Sequence, residues 1–265
     1  IKLWQLQNTR ELRTLFGHEK SVTALAFVPQ KKLLVSGSND ATIRLWDLLS
    51  GKELNRFALP DIISSVVIHP SGSYVVAAGY ANDAYVLSLP DFKLIKKFEV
   101  NADKGNGSGI DLAFSPDGKL LAVGEDNRTC KVYNTQNFEL NKEIKPAEGW
   151  CGGCGTRIAF KNNDLIYIAT ENGTLSLYNH IKDKTEAILI NEIDDLSGLS
   201  LSNTGTTLAL ATDKKIFLFI NNSLTKEIVA EDEVEFTENA FYPNSENFLQ
   251  AQDNSKVNLI NSKTF

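Results

Sequence analysis

Apolar and polar positions alternate along this chain in short blocks. The clearest block runs from Gly17 to Asp47, GHEKSVTALAFVPQKKLLVSGSNDATIRLWD. It holds an apolar stretch, a turn, a second apolar stretch, a small polar turn and a third stretch ending in Trp46-Asp47; a fourth stretch, KELNRFAL, follows Ser50-Gly51. Each stretch is rich in Val, Ile, Leu, Thr and aromatic residues and is bounded by Gly, Pro, Asn, Asp or Ser, which predicts β-strands joined by tight turns.

The same four-part unit recurs. Its first strand leads into VIHPSG at Val67, AFSPDG at Ala113, AFKNND at Ala159, SLSNTG at Ser200 and AFYPNS at Ala240. Pro presets φ at such reversals, and Gly, Asn and Asp tolerate the positive φ they need. The second strand follows as YVVAAG, KLLAVG, LIYIAT, TLALAT and FLQAQ. These runs are apolar on both pleat faces and are predicted to lie between two covering layers. In the third strand the position of Trp46 is matched by Trp4, Leu89, Tyr133, Tyr178, Phe219 and Ile260, at steps of 42, 43, 44, 45, 41 and 41. Seven marks at a near-constant step imply seven four-stranded units. The chain opens in a third strand and stops where a fourth should begin, so three strands of the seven units are missing. It also contains no Met and is expected to be an internal piece of a longer polypeptide.

A period of 40 to 45 residues with four strands per unit, together with the dipeptides Gly17-His18 and Trp46-Asp47, resembles the WD-repeat family throughout the chain. The resemblance implies an all-β fold, a seven-bladed β-propeller of four-stranded antiparallel blades whose ring closure is incomplete within these residues. The blades are expected at 1–17 (partial), 18–60, 61–101, 102–146, 147–190, 191–231 and 232–265 (partial). It also implies that His18, Ser36, Asp40 and Trp46 form a buried hydrogen-bonded tetrad, with the indole donating to Ser36, Ser36 to His18, and His18 to Asp40. Ser, His and Asp in one unit would otherwise suggest a hydrolase. A nucleophile needs an oxygen facing substrate and a nearby oxyanion hole, and a sealed Ser36 would have neither. Other units depart from the pattern: Asn127 and Asn172 stand in the place of Asp40, Tyr133 and Tyr178 replace the Trp, and no other unit begins with Gly-His.

Composition narrows the function. Hydrophobic residues are 42% of 265, and 33 acidic against 27 basic side chains leave a net charge of -6, which disfavours a general phosphate-binding surface. No apolar run approaches the roughly 20 residues of a membrane-spanning helix, and the first residues do not read as a signal peptide. Three cysteines, an odd and small number, fit a reducing compartment, so an intracellular, cytoplasmic or nuclear location is expected. Cys151 and Cys154 form CGGC between strands, without the second pair a structural zinc site requires or the helix start of a redox pair; a glycine loop is expected there. Cys130 is expected as a small core residue, and His69 and His180 at the surface. Lys93, Lys96 and Lys97 form a basic stripe on an outermost strand, where they protect an edge. No metal or cofactor is expected.

In the resembled family, the connections from a fourth strand to the next first strand meet partners on one face. Two of them, NADKGNGSG from Asn101 and KPAEGWCGGCG from Lys145, are long. The second carries Trp150, which either caps the sheet edges or anchors a partner. Two more are acidic: Glu192, Asp194 and Asp195 in one, Glu231, Asp232, Glu233 and Glu235 in the other. Their charge favours a Lys/Arg-rich protein segment over a nucleic-acid backbone, with Asp194, Asp195, Asp232 and Glu233 as candidate contacts. The expected function is therefore a non-catalytic scaffold for protein–protein interaction and complex assembly. The alternatives are a propeller enzyme with a channel active site, or a nucleic-acid-binding propeller.

Overall fold

A computed structural model describes residues 1–5, 10–80, 83–100, 110–125, 129–145, 155–171, 173–193, 195–202 and 204–230, and the backbone of three further strands at 236–241, 247–252 and 257–261; the side chain of residue 192 is outside this set. All regular structure among these residues is β-strand. The strands form seven antiparallel sheets, taken here in chain order as I to VII. Sheet I has two strands, β1 (Lys2–Gln5) and β2 (Arg10–Thr14). Sheet II is β3 (Val22–Phe27), β4 (Leu33–Ser38), β5 (Thr42–Asp47) and β6 (Glu53–Ala58). Sheet III is β7 (Ile63–Ile68), β8 (Tyr74–Gly79), β9 (Asp83–Ser88) and β10 (Leu94–Glu99), and sheet IV is β11 (Asp111–Phe114), β12 (Leu120–Gly124), β13 (Cys130–Asn134) and β14 (Glu139–Ile144). Sheet V is β15 (Thr156–Phe160), β16 (Leu165–Thr170), β17 (Gly173–Asn179) and β18 (Lys184–Ile193); sheet VI is β19 (Leu196–Leu201), β20 (Thr207–Thr212), β21 (Lys215–Ile220) and β22 (Ser223–Val229). Sheet VII has three strands, β23 (Phe236–Phe241), β24 (Asn247–Gln252) and β25 (Val257–Asn261). In every sheet the spatial order is the chain order, so short turns suffice as connections.

The chain divides into two compact units, Ile1–Asp126 with Lys131–Ile144, and Asn127–Cys130 with Lys145–Phe265. Within the first, the core lies between successive sheets. Val35, Ile43 and Leu45 of sheet II pack with Val66, Val75 and Leu87 of sheet III, and Val76, Ala78 and Val86 of sheet III pack with Leu112, Leu121 and Val123 of sheet IV. Within the second unit, Tyr167, Ala169 and Leu175 of sheet V meet Leu208, Leu210 and Phe219 of sheet VI. Second strands are covered on both faces: β8 and β16 are buried from their second residue to their last, and β20 throughout. Outermost strands are the reverse, with four consecutive exposed residues in β10.

The residue of sheet III that holds the register place of Trp46 is Leu87, not Leu89. Trp46 pairs with Leu34, and Leu87 pairs with Val75, each the second residue of its own second strand. The Leu48 and Leu89 amides then make the same turn bond, to Lys32 and Ser73 carbonyls, each at 2.9 Å. Leu87 and Leu89 lie on the same pleat face two residues apart, so alternation alone cannot separate them.

A second feature recurs at the start of the first strands. The register slips by one residue between Val22 and Ala24, Ile63 and Ser65, Leu196 and Gly198, and Phe236 and Glu238. The extra residue is Thr23, Ser64, Ser197 or Thr237, a hydroxyl residue each time. In sheets II and III this hydroxyl bridges to the next sheet. Thr23 Oγ1 donates to the Ile63 carbonyl at 2.5 Å. Ser64 Oγ donates to the Ile110 carbonyl at 2.9 Å and accepts from the Ile110 amide at 2.9 Å. The bulge thus turns a side chain out of its own ladder to satisfy the first strand of its neighbour.

His69 and His180 depart from a surface placement. His180 is buried, with Nε2 2.7 Å from the Asn163 carbonyl oxygen. His69 is half-buried, stacked on Tyr74 at 4.5 Å and edge-on to Phe114 at 5.2 Å. Each ring sits beside a turn, and its flat apolar faces fill the space that the turn leaves over the sheet. Cys130 is fully buried. Lys97 on β10 pairs with Asp83 at 2.8 Å.

Candidate functional site

The polar centre of the first unit lies on one face of sheet II. On β5 the alternation places Thr42, Arg44 and Trp46 on a common face, and the register brings Ser36 opposite Arg44 and Leu34 opposite Trp46. Trp46 Nε1 donates to Ser36 Oγ at 2.8 Å. Ser36 Oγ is 2.7 Å from His18 Nε2, and His18 Nδ1 is 2.8 Å from Asp40 Oδ2. An indole N–H only donates and a carboxylate only accepts, so the proton order runs from Trp46 through Ser36 and His18 to Asp40. Ser36 is fully buried, and the side chains of His18 and Asp40 are 4% and 7% exposed.

Asp40 gathers more than the histidine. Its Oδ1 accepts from the Thr42 amide at 2.9 Å and the Thr42 hydroxyl at 2.6 Å, and its Oδ2 accepts from the Glu19 amide at 3.1 Å. Burial alone would raise its pKa, but the bonds from Thr42, His18 and the Glu19 and Thr42 amides outweigh burial and hold the carboxyl far below the usual carboxylate range. Arg44, 5% exposed, closes the network: Nε donates to Thr42 Oγ1 at 3.2 Å, Nη2 lies 3.5 Å from Asp40 Oδ2, and Nη1 bonds Glu53 Oε2 at 2.8 Å. Gly17 makes room for it, because a Cβ there would fall 2.5 Å from Arg44 Nη1 and 3.0 Å from the Trp46 ring.

Thr42, Arg44 and Glu53 were not expected from the tetrad pattern. The signal was present in the Thr-x-Arg-x-Trp alternation of β5, which puts an arginine in the same stripe as a buried tryptophan. The register also shows why sheets III to VI lack this network. The place of Ser36 is taken by Ala77, Val123, Ile168 and Leu210 in sheets III to VI, all fully or almost fully buried. Chemically, the arrangement is closed. The Ser36 oxygen is engaged on both sides and shielded from solvent, so it has no path to a substrate carbonyl.

Of the candidate partner contacts, Asp195 is exposed, in a left-handed backbone conformation with φ of 46°, and its carbonyl accepts from the Asp213 amide at 3.2 Å. Trp150, Asp194, Asp232 and Glu233 lie outside the described residues, as do Cys151 and Cys154. Among the described residues no group of three or more His, Cys, Asp or Glu side chains converges on a point that could hold a metal ion. No described helix is long and apolar enough to cross a membrane.

Comparison with known proteins adds similar chains and a fold. The model of the WD domain, G-beta repeat, matches residues 9–47 and 93–134. The chain is 28% identical over 168 residues to Target of rapamycin complex subunit LST8 of Bos taurus, covering 57% of this chain and 51% of the relative. It is 30% identical over 139 residues to Small ribosomal subunit protein RACK1 of Caenorhabditis elegans, covering 50% and 42%. The matched region thus spans about half the length of these curated relatives. The β-propeller domain of Cps50 (Swd1) from Myceliophteria thermophila superposes on 99% of this chain and 90% of its own, with a TM-score of 0.83 at 15% identity. The fold is therefore a β-propeller. With WD40 matches in two segments of that fold and the Gly-His to Trp-Asp network at its strongest repeat, the chain is similar to the WD-repeat β-propellers.

Proposed function

We propose that this chain is a non-catalytic scaffold that holds other proteins in a multiprotein complex, and that it docks a Lys/Arg-rich protein segment through the acidic connections carrying Asp194, Asp195, Asp232 and Glu233. The observation that carries the scaffold reading is the closed polar network of sheet II. The residues that would make a hydrolase, Ser36, His18 and Asp40, are engaged with one another and with Trp46, and their bonds serve rigidity. The names of two relatives support it, since LST8 is named as a complex subunit and RACK1 as a ribosomal subunit protein. The partner's chemistry rests on charge: seven carboxylates fall within Glu192–Asp195 and Glu231–Glu235, and the net charge is -6. The setting that fits is intracellular, cytoplasmic or nuclear.

The test is capture of a synthetic Lys/Arg-rich peptide by the wild-type chain and by a variant carrying Asp194→Lys, Asp195→Lys, Asp232→Lys and Glu233→Lys. Capture at low salt by the wild type and its loss in the variant is the expected result. Equal capture by both sinks the basic-segment reading. Trp150→Ala, assayed for partner recovery in a pull-down, asks whether that aromatic residue anchors a partner, and reduced recovery is expected.

A further inference from the structure

The residue that follows each first strand holds one fixed place in the turn. Val28, His69, Ser115, Lys161 and Ser202, in sheets II to VI, each donate the backbone amide to a carbonyl at the start of the second strand, at 2.8 to 3.0 Å. Val28, Ser115 and Ser202 are buried there, and His69 is half-buried. The place faces inward, and sheet V puts an ammonium in it. Lys161 is itself half-buried.

Little balances that charge. Lys161 Nζ donates to Asn222 Oδ1 at 2.7 Å and lies 5.7 Å from the centre of the Tyr167 ring. The Tyr167 hydroxyl donates to the same Asn222 oxygen at 2.6 Å. Asn222 stands with Asn221 in the two-residue turn between β21 and β22, both in the left-handed conformation that asparagine tolerates, with φ of 70° and 50°. Sheet VI thus offers one neutral oxygen to two donors of sheet V. Among the described residues Lys161 forms no ion pair, and the carboxylate of its own turn, Asp164, is exposed. The titratable group that faces it is Tyr167, whose hydroxyl burial pushes up to about 12, so that it stays neutral. An ammonium without a counter-charge is costly in such a place, and burial moves Lys161 below the ordinary lysine value. The neutral amine keeps its bond to Asn222 and gains a lone pair.

We propose that the cluster of Lys161, Tyr167 and Asn222 is a modification site, at which Lys161 Nζ takes an acyl group from an acyl thioester. The Nζ lone pair attacks the thioester carbonyl carbon, so that a C–N bond forms and the C–S bond breaks. The sulfur leaves with the bonding pair and is protonated to the thiol, while Nζ sheds one proton to water. The product suits the site better than the ammonium does: it is uncharged, and its single remaining N–H matches the single acceptor Asn222 Oδ1. The proposal uses residues other than the acidic connections, and its outcome is separate from theirs.

The experiment treats the 265-residue chain with a trace of the acetyl thioester of N-acetylcysteamine and reads acetylation at each lysine by peptide mapping in a mass spectrometer. Lys93 and Lys96, both exposed, are the references. At about pH 7 Lys161 should react at least about threefold faster than either, although it is the less accessible, because more of it is neutral. The advantage should shrink as pH rises toward about 10, where the reference amines lose their protons too. Asn222→Asp sets a carboxylate beside Nζ, holds the ammonium charged and should abolish the advantage, with the fold checked by circular dichroism. Three results overturn the proposal: Lys161 no faster than the references at neutral pH, an advantage that does not shrink with rising pH, or an advantage undiminished in a folded Asn222→Asp variant. The wild-type rates and their pH profile decide it even where the variant does not fold.

Discussion

At the scale of single residues, the network of sheet II is legible in the sequence only in part. His18, Ser36, Asp40 and Trp46 stand at the spacing of a known repeat, and alternation along β5 puts Arg44 in the stripe of Trp46, but nothing in a one-letter string distinguishes its partner Glu53 from a charge on a solvated strand. Their roles depend on Gly17 leaving space and on β6 lying beside β5. Removing one member should cost more than weakening it. Ser36→Ala strands the Trp46 N–H and a His18 nitrogen in a dry interior and should lower unfolding free energy by about 2 kcal/mol, whereas Trp46→Phe removes one bond and some ring area, with Ser36 still bonded to His18. Urea denaturation of both variants checks the order. The pH dependence follows from Asp40. Its folded carboxyl titrates far below the unfolded value of about 4. In the window between the two values the unfolded state takes up the proton and the folded state does not. The stability it supplies is therefore whole above the unfolded pKa and is lost as pH falls through the folded one. Asp40→Asn should be less stable at pH 7 and show a shallower loss of thermal midpoint on acidification.

At the scale of elements, strands and turns follow from alternation and from Gly, Pro, Asn and Asp, while bulges do not. A one-residue slip leaves composition unchanged, so the hydroxyl bridges of Thr23 and Ser64 come to light only when two sheets are placed side by side. They make a testable pair. Ser64→Ala leaves the Ile110 amide without the acceptor 2.9 Å away and should cost about 2 kcal/mol. Thr23→Val keeps shape, removes a donor that bridges two carbonyls, and should cost about 1 kcal/mol. Gly79 marks another such place, since a Cβ there would fall 1.8 Å from the Ile62 carbonyl oxygen. Gly79→Ala must push two backbones apart and should destabilise more than either hydroxyl variant, as a lower midpoint in thermal unfolding.

At the scale of the whole molecule, the propeller fold explains how a chain without a helix among its described residues buries so much: the second strands of sheets II to VI are sandwiched, and within each compact unit the apolar surface of one sheet is the partner of the next, as from II to III, III to IV and V to VI. An interface built from carboxylates responds to salt. Capture of a basic peptide should weaken steadily as salt rises from low to molar concentration, because screening shortens the reach of each charge. Calorimetric titration at two ionic strengths checks this.

The sequence by itself determined the repeat, its four strands, the doubly apolar second strands and the residues of the tetrad, because these depend on neighbours within a strand or on a spacing that repeats. Only the tertiary structure decided that Leu87 takes the place of Trp46 in sheet III, that His180 is buried, that Arg44 joins the tetrad, and that Thr23 and Ser64 bridge to the next sheet. Burial is a property of two surfaces in contact, and a strand's own residues state its need for cover without stating whether the neighbouring sheet supplies it.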